Sequence, residues 1–324
     1  MITNDIAYAV RCLSNDELVG MPTETVYGLA GNAFSDQAVR KIYALKQRPL
    51  TNPLILHIPS LLYLSEVAKD IPDMALRLAT RFWPGPLTLV LNKNDRIPSV
   101  VTSGNRTVAV RVPDHPTALA LLRKLPFPLA APSANPFGCI SPTTARHVQD
   151  YFGDSLSCVL DGGNCSRGLE STIVGFPEGK PVIYRLGALM EEEIRAVCPD
   201  LVVNNIASDK PQAPGLFDRH YSPRTPMLLT TTLSAWNSDA APGTVGFLCF
   251  REKPSHGVGH LYEVLSEKGD LAEAARRLYA SMHRLDAMGL RLIVAEPFPD
   301  YGLGRAINDR LKRAVADSTS NAEL

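Results

Sequence analysis

Pro22-Thr23-Glu24-Thr25-Val26-Tyr27-Gly28-Leu29, then Lys46-Gln47-Arg48-Pro49, then Asn52-Pro53-Leu54-Ile55-Leu56-His57, carry the most information in this chain. Two short apolar runs, Leu18 to Met21 and Leu54 to Ile58, flank these segments, and each reads as a buried strand ending in polar groups. Hydroxyls, a lysine, an arginine, an asparagine and a histidine therefore converge from strand ends on a common edge. Fixed cations beside hydroxyl and amide donors suit an anionic ligand that also offers small polar groups. A nucleoside triphosphate together with a small amino acid meets that description.

Outward from this stretch, helical and strand-like patterns alternate to about residue 200. Asn4–Leu13 reads as a helix, and Ser35 as the N-cap of a second helix ending near Leu45. Pro72 opens a helix to Phe82, His115–Leu125 is helical, Thr143 is expected to cap a helix to Phe152, and Glu191–Val197 closes the series. Strands are expected at Leu87–Leu91, Val108–Val112, Leu129–Ala131, Cys158–Leu160, Thr172–Val174 and Val182–Tyr184. This predicts an α/β domain over residues 1–204, a twisted mixed sheet with flanking helices. Residues 205–226 hold four prolines and read as a semi-rigid linker. Residues 227–324 read as a smaller, Rossmann-like α/β domain: strands at Met227–Thr230, Val245–Phe250 and Leu292–Ala295, a helix from Asp270 with Glu273 at the capping-box position, and a last helix from about Gly304.

Composition bounds the function. The 324 residues are 45% hydrophobic and 20% charged, with 33 basic against 33 acidic side chains, which argues against a protein devoted to coating nucleic acid. No signal peptide or membrane span is read, and the six cysteines lack a C-x-x-C pair, so reduced thiols in a cytoplasmic protein are expected. Gly179-Lys180 runs into Pro181 and is no phosphate loop; Gly302-Leu303-Gly304 lacks a third glycine; no G-x-S-x-G elbow occurs. Gly257 and Gly259, between His256 and His260, argue against metal ligation by that pair, and no protein metal site is assigned.

Four further segments complete the constellation: Trp83-Pro84-Gly85-Pro86-Leu87-Thr88, Val108–Pro113 with Arg111 at a strand end, Ala131-Pro132-Ser133-Ala134-Asn135, and Glu170-Ser171-Thr172-Ile173-Val174. Each is ordinary turn or strand-end chemistry by itself. Together and in this order, over about residues 5 to 200 and again at Arg219–Pro223, they resemble the threonylcarbamoyl-AMP synthase family, with its YrdC-type catalytic domain in the long, two-domain form. The resemblance implies a nucleotidyltransferase that makes L-threonylcarbamoyladenylate from L-threonine, bicarbonate and ATP with Mg2+, releasing pyrophosphate. The product would pass to the machinery that threonylcarbamoylates tRNA adenosine 37, and weak tRNA binding is a further expectation. It also implies residue roles. Thr25, His57, Arg111, Ala131 (through its backbone) and Ser171 would hold threonine. Arg48, Asn52, Thr107, Ser133, Asn135, Ser141, Arg185 and Tyr221 would hold ATP, and Lys46, catalytic together with Arg48, would face either the phosphates or the developing carbamate. Arg219–Pro223 would fold over the nucleotide as a lid. The competing readings are an RNA-binding module without threonine-dependent turnover, and a carbamoyl transferase of hydrogenase maturation, whose zinc-finger cysteine pairs are not visible here.

Overall fold

Short strands of β-branched and aliphatic residues, separated by amphipathic helices, assemble into two compact units. The computed structural model describes residues 1–204, 220–231, 233, 243–253 and 261–315. The first unit contains β1 (Ile2–Thr3), α1 (Ile6–Ser14), β2 (Val19–Met21), β3 (Gly28–Asn32), α2 (Asp36–Lys46), β4 (Ile55–His57), α3 (Asp73–Phe82), β5 (Leu87–Asn92), β6 (Thr107–Arg111), α4 (Pro116–Leu122), β7 (Leu129–Ala130), α5 (Ala145–Phe152), β8 (Cys158–Leu160), β9 (Thr172–Gly175), β10 (Val182–Arg185), α6 (Glu191–Arg195) and β11 (Val202–Val203). Its strands form one mixed sheet in the order β1-β8-β2-β3-β7-β4-β6-β5-β9-β10-β11.

Side-chain alternation along the central strands divides this sheet into two faces. Leu56, Val110, Leu89 and Val174 face a large core completed by Val39 and Ile42 of α2 and by Ala75, Leu78 and Ala79 of α3. The opposite face of the same strands carries a small apolar cluster, Ile55, Ala109, Val90 and Ile173. Two residues further along, that face presents His57, Arg111 and Thr88 instead. The change from apolar to polar along one face marks where core ends and site begins. A third cluster packs α1 and α4, through Ala9, Leu13, Ala118 and Leu121, on Val19, Met21, Leu129 and Cys158.

The expected elements recur with boundaries shifted by a few residues. Ser35 does cap α2, its hydroxyl accepting from Ala38 N at 3.2 Å. The cap of α5 moves one position: Thr144, not Thr143, accepts from His147 N at 3.1 Å. β3 was not anticipated, because its Gly-Leu-Ala-Gly-Asn sequence has weak β propensity. The sheet places it between β2 and β7, where Gly31 leaves room for Leu18 and Ile42. β1 and β11, two residues each, are too short to show a period.

The second unit gathers 138–140, 167–169 and the chain from 218 onward. It has a four-stranded parallel sheet, β12 (Met227–Leu229), β15 (Leu292–Ala295), β13 (Val245–Cys249) and β14 (Leu261–Val264) in that order, with α7 (Leu271–Asp286) and α8 (Leu303–Val315). β14 was not anticipated. Asp270 caps α7, but Glu273 does not close the expected capping box: the Asp270 N–H goes instead to Ser266 Oγ, which donates to Glu273 Oε2. Most of the 205–226 linker, including Arg219, and His256 and His260 lie outside the described residues. Among the described residues no helix is long and apolar enough to cross a membrane, and all six cysteines are free thiols, five of them buried.

Candidate functional site

Register brings the polar residues together. β4 and β6 run parallel with His57 opposite Arg111. β5 runs antiparallel to β6 with Leu89 opposite Val110, which sets Thr88 beside Arg111. β9 lies parallel to β5 with Thr172 opposite Leu87, so Ser171 arrives next to Thr88. A β-bulge between Ile183 and Arg185 puts Arg185 opposite Ile173, on the same face. The row thus crosses β4, β6, β5, β9 and β10 at their ends, along one edge as the sequence suggested.

Arg111 is the hub. Its Nε donates to Gly85 O at 3.2 Å, Nη1 to Thr25 Oγ1 at 2.8 Å, and Nη2 pairs with Glu24 Oε1 at 2.5 Å. Those contacts use three of the five guanidinium N–H groups, leaving two for a ligand. Gly85 must be glycine here, since a Cβ would stand 2.3 Å from Phe82 O. The Thr23–Thr25 segment is fixed locally: Thr23 Oγ1 lies 2.9 Å from Thr25 Oγ1 and 2.6 Å from Val26 O. Arg111 and Glu24 are 4% and 3% exposed at their side chains, so each buried charge is compensated by the other.

Beside this pair, burial and then the Arg111 cation hold the His57 imidazole down to about 3, which makes it neutral at physiological pH. Two buried atoms around the pair, Glu24 Oε2 and His57 Nδ1, have no hydrogen-bond partner. Leaving a buried polar group unsatisfied costs about 1–3 kcal/mol, more when it is charged, and such exceptions concentrate where a ligand completes the set.

Further along the row, Thr88 Oγ1 lies 2.7 Å from Ser171 Oγ. Arg185 Nη2 reaches Ser171 O at 2.8 Å and Ser171 Oγ at 3.2 Å. Ser141 donates to Glu170 Oε1 at 2.6 Å. Ala131 is tied to the sheet by its N–H to Ile55 O at 3.0 Å.

Lys46 and Arg48 are buried rather than a solvated pair at a helix end. Lys46 is the last residue of α2, and Gln47 turns the chain with φ 53°. Lys46 Nζ donates to Ser133 O at 2.6 Å and to Asn135 O. Arg48 forks onto the next loop, Nε to Asn52 O at 3.0 Å and Nη2 to Asn52 Oδ1 at 2.5 Å and Pro53 O at 2.9 Å. Asn52 is fully buried and its Nδ2 donor has no partner. Ser133 is bridged to Gly28 at the start of β3, linking this cation cluster to the Pro22–Leu29 segment.

Thr107 and Tyr221 complete the sequence-selected set. Thr107 starts β6 on the Arg111 face, with Ala109 between them. Tyr221 belongs to the second unit: it is 1% exposed, has φ 65°, stacks on Tyr279 at 5.8 Å and lies under Arg310 at 5.0 Å. Ser222 N donates to Gly138 O at 2.7 Å within the same unit. Sequence reasoning assigned no role to Thr23, Glu24, Gly85, Thr88 or Glu170. All five stand inside the quoted motifs, so proximity in sequence was the available signal; the partner of each was not.

Family models and relatives agree on where this chain belongs. A model described as telomere recombination (Sua5, YciO and YrdC) matches residues 11–187, and one described as threonylcarbamoyl-AMP synthase, C-terminal domain, matches 189–316. The threonylcarbamoyl-AMP synthase of Pyrococcus abyssi is 39% identical over 321 residues, covering 95% of this chain and 93% of the relative. That of Bacillus subtilis is 40% identical over 325 residues, covering 97% and 94%. The solved structure of P. abyssi Sua5 complexed with L-threonine superposes with a TM-score of 0.87 at 37% identity, covering 96% of this chain and 94% of that one. By domain content and by full-length similarity, this chain belongs to the threonylcarbamoyl-AMP synthase family.

Proposed function

We propose that the chain joins L-threonine, bicarbonate and ATP into L-threonylcarbamoyladenylate and pyrophosphate, the intermediate used to threonylcarbamoylate tRNA adenosine 37. One observation carries the reading: a buried guanidinium with two donors to spare, beside two hydroxyls and a neutral imidazole, on one face of the sheet. A small hydroxyl-bearing amino acid fits that set. Arg111 would take its carboxylate; Thr25, Ser171, neutral His57 and the Ala131 backbone would surround its polar groups.

ATP would occupy the neighbouring cation cluster, with Arg48, Asn52, Thr107, Ser133, Asn135, Ser141 and Arg185 around it and Lys46 and Arg48 nearest the phosphates. The threonine nitrogen, as the free amine, attacks the bicarbonate carbon, and an N–H proton and the C–OH oxygen leave as water to give the carbamate; one carbamate oxygen then attacks the α-phosphorus, and the bond to the β-phosphate oxygen breaks as pyrophosphate leaves. No covalent enzyme intermediate is required, so these side chains act by holding the reactants in line and by balancing charge. Mg2+ suits the triphosphate: among the described residues no three His, Cys, Asp or Glu side chains cluster, so the donors that fit it are phosphate oxygens and water. When bound with ATP it adds positive charge at the oxygens where negative charge develops. A dry site also protects the mixed anhydride from hydrolysis. A cytoplasmic setting, which supplies ATP, L-threonine and bicarbonate together, fits this reading.

The test is pyrophosphate release from ATP with L-threonine and bicarbonate omitted in turn, with and without Mg2+. Release that requires both co-substrates is the expected result. Release with neither, or salt-sensitive RNA binding with no release under any condition, would overturn the reading.

A further inference from the structure

Glu24 is not needed to bind a carboxylate, and by charge alone it opposes one. Yet its side chain is 3% exposed and sits directly on the guanidinium that faces the ligand. One carboxylate oxygen, Oε1, is committed to Arg111 Nη2; the other, Oε2, is buried without a partner. A free α-amino acid presents a carboxylate and an ammonium on one carbon, and an Arg–Glu pair presents their complements side by side. We propose that Glu24 Oε2 receives the α-ammonium of the amino acid whose carboxylate Arg111 holds, and takes a proton from it before the nitrogen attacks carbon.

The step balances within the pair. One N–H bond breaks, its electrons stay on nitrogen as a lone pair, and the proton moves to Oε2; the lone pair then bonds the bicarbonate carbon while a second N–H proton and the C–OH oxygen leave as water. An ammonium has no lone pair and cannot attack, so some base must act at this point. The titratable groups facing Glu24 are Arg111 of β6, in direct contact, and the buried thiol of Cys165; neutral His57 of β4 stands beyond Arg111. Among these, Glu24 is the carboxylate. The proposal deepens the threonine reading above and rests on it.

The experiment compares wild type with Glu24→Gln, which keeps the shape and removes the charge. Threonine-dependent pyrophosphate release is measured across pH, alongside calorimetric binding of L-threonine and of its α-hydroxy analogue 2,3-dihydroxybutanoate. Wild type should prefer the amino acid by at least about 100-fold, as expected of a site built to pair a polar group. Glu24→Gln should narrow that preference at least tenfold and lower kcat/KM about 100-fold or more near neutrality. Its activity should climb toward wild type as pH approaches the amine's own pKa, where solvent removes the proton. A role only in propping Arg111 would instead lower binding of both ligands equally at every pH, and would refute the proposal. So would an unchanged pH profile with unchanged preference. If Glu24→Gln does not fold, Glu24→Asp decides: it should keep the amino-acid preference and the pH profile while raising KM for threonine about tenfold, and an unchanged KM refutes the proposal. Wild type that shows no threonine-dependent release fails the functional reading itself, a different result from any of these.

Discussion

Replacing Arg111 with alanine should damage both stability and threonine use, by separable amounts. The Arg111–Glu24 pair is 4% and 3% exposed, so removing the guanidinium strands a carboxylate among buried groups. Breaking a buried pair in this way costs about 3–5 kcal/mol. For a folding unit of about 200 residues, each kcal/mol shifts the melting temperature by about 2–4 °C, which predicts a fall of about 6–20 °C. Binding suffers separately: a lost charge-assisted contact to the substrate carboxylate is worth about 2–4 kcal/mol, or about 30- to 1,000-fold in kcat/KM for threonine. The double variant Arg111→Ala/Glu24→Gln separates the two effects, because it removes the stranded charge without restoring the cation. It should melt above Arg111→Ala by the equivalent of about 2 kcal/mol while remaining as poor with threonine. Differential scanning calorimetry and steady-state pyrophosphate release measure both quantities. A double variant that melts no higher than Arg111→Ala refutes the buried-charge reasoning, and Arg111→Ala with wild-type threonine kinetics refutes the site.

Three more outcomes are expected. Thr88→Val keeps the shape and removes the 2.7 Å contact to Ser171; KM for threonine should rise about fivefold, the equivalent of one neutral hydrogen bond, as read by initial rates. Gly187→Ala places a Cβ 2.3 Å from Glu170 O and 2.5 Å from Ser171 C; the 170–171 backbone must shift, and calorimetry should show about 1–3 kcal/mol of destabilisation with loss of threonine-dependent release. Burial holds folded-state His57 down to about 3, against 6.5 for the free group, so the unfolded chain binds an extra proton between those values. The His57 contribution to stability should be complete above about pH 6.5 and decline as pH falls toward 3, and His57→Gln should flatten that part of a denaturation-versus-pH curve. A curve of equal slope in the variant would contradict it.

Much of the first unit was legible because its elements obey one period each. α2 shows apolar Ala38, Val39 and Ile42 behind a serine cap, and the β5, β6 and β9 strands are β-branched runs between turn residues. β3 escaped because its pairing partners, not its own propensity, make it a strand, and β14 because its four residues, although Tyr262 and Val264 favour strands, are too few to show a period. The site followed the same division. Arg111, His57, Thr25 and Ser171 could be picked as strand-end polar residues. That Glu24 occupies one arm of Arg111, and that Thr88 bridges Arg111's strand to Ser171, depends on a register of three strands that no single segment encodes.

By itself, then, the order of residues determined which side chains could serve an anionic nucleotide and a small amino acid, since motif chemistry and strand period are local properties. Tertiary structure alone decided their pairing: which guanidinium N–H groups are spent, which carboxylate oxygen is left without a partner, and that His57 is neutral. Those are consequences of burial and of contacts between segments up to 87 residues apart, where desolvation makes each unmet hydrogen bond costly enough to matter.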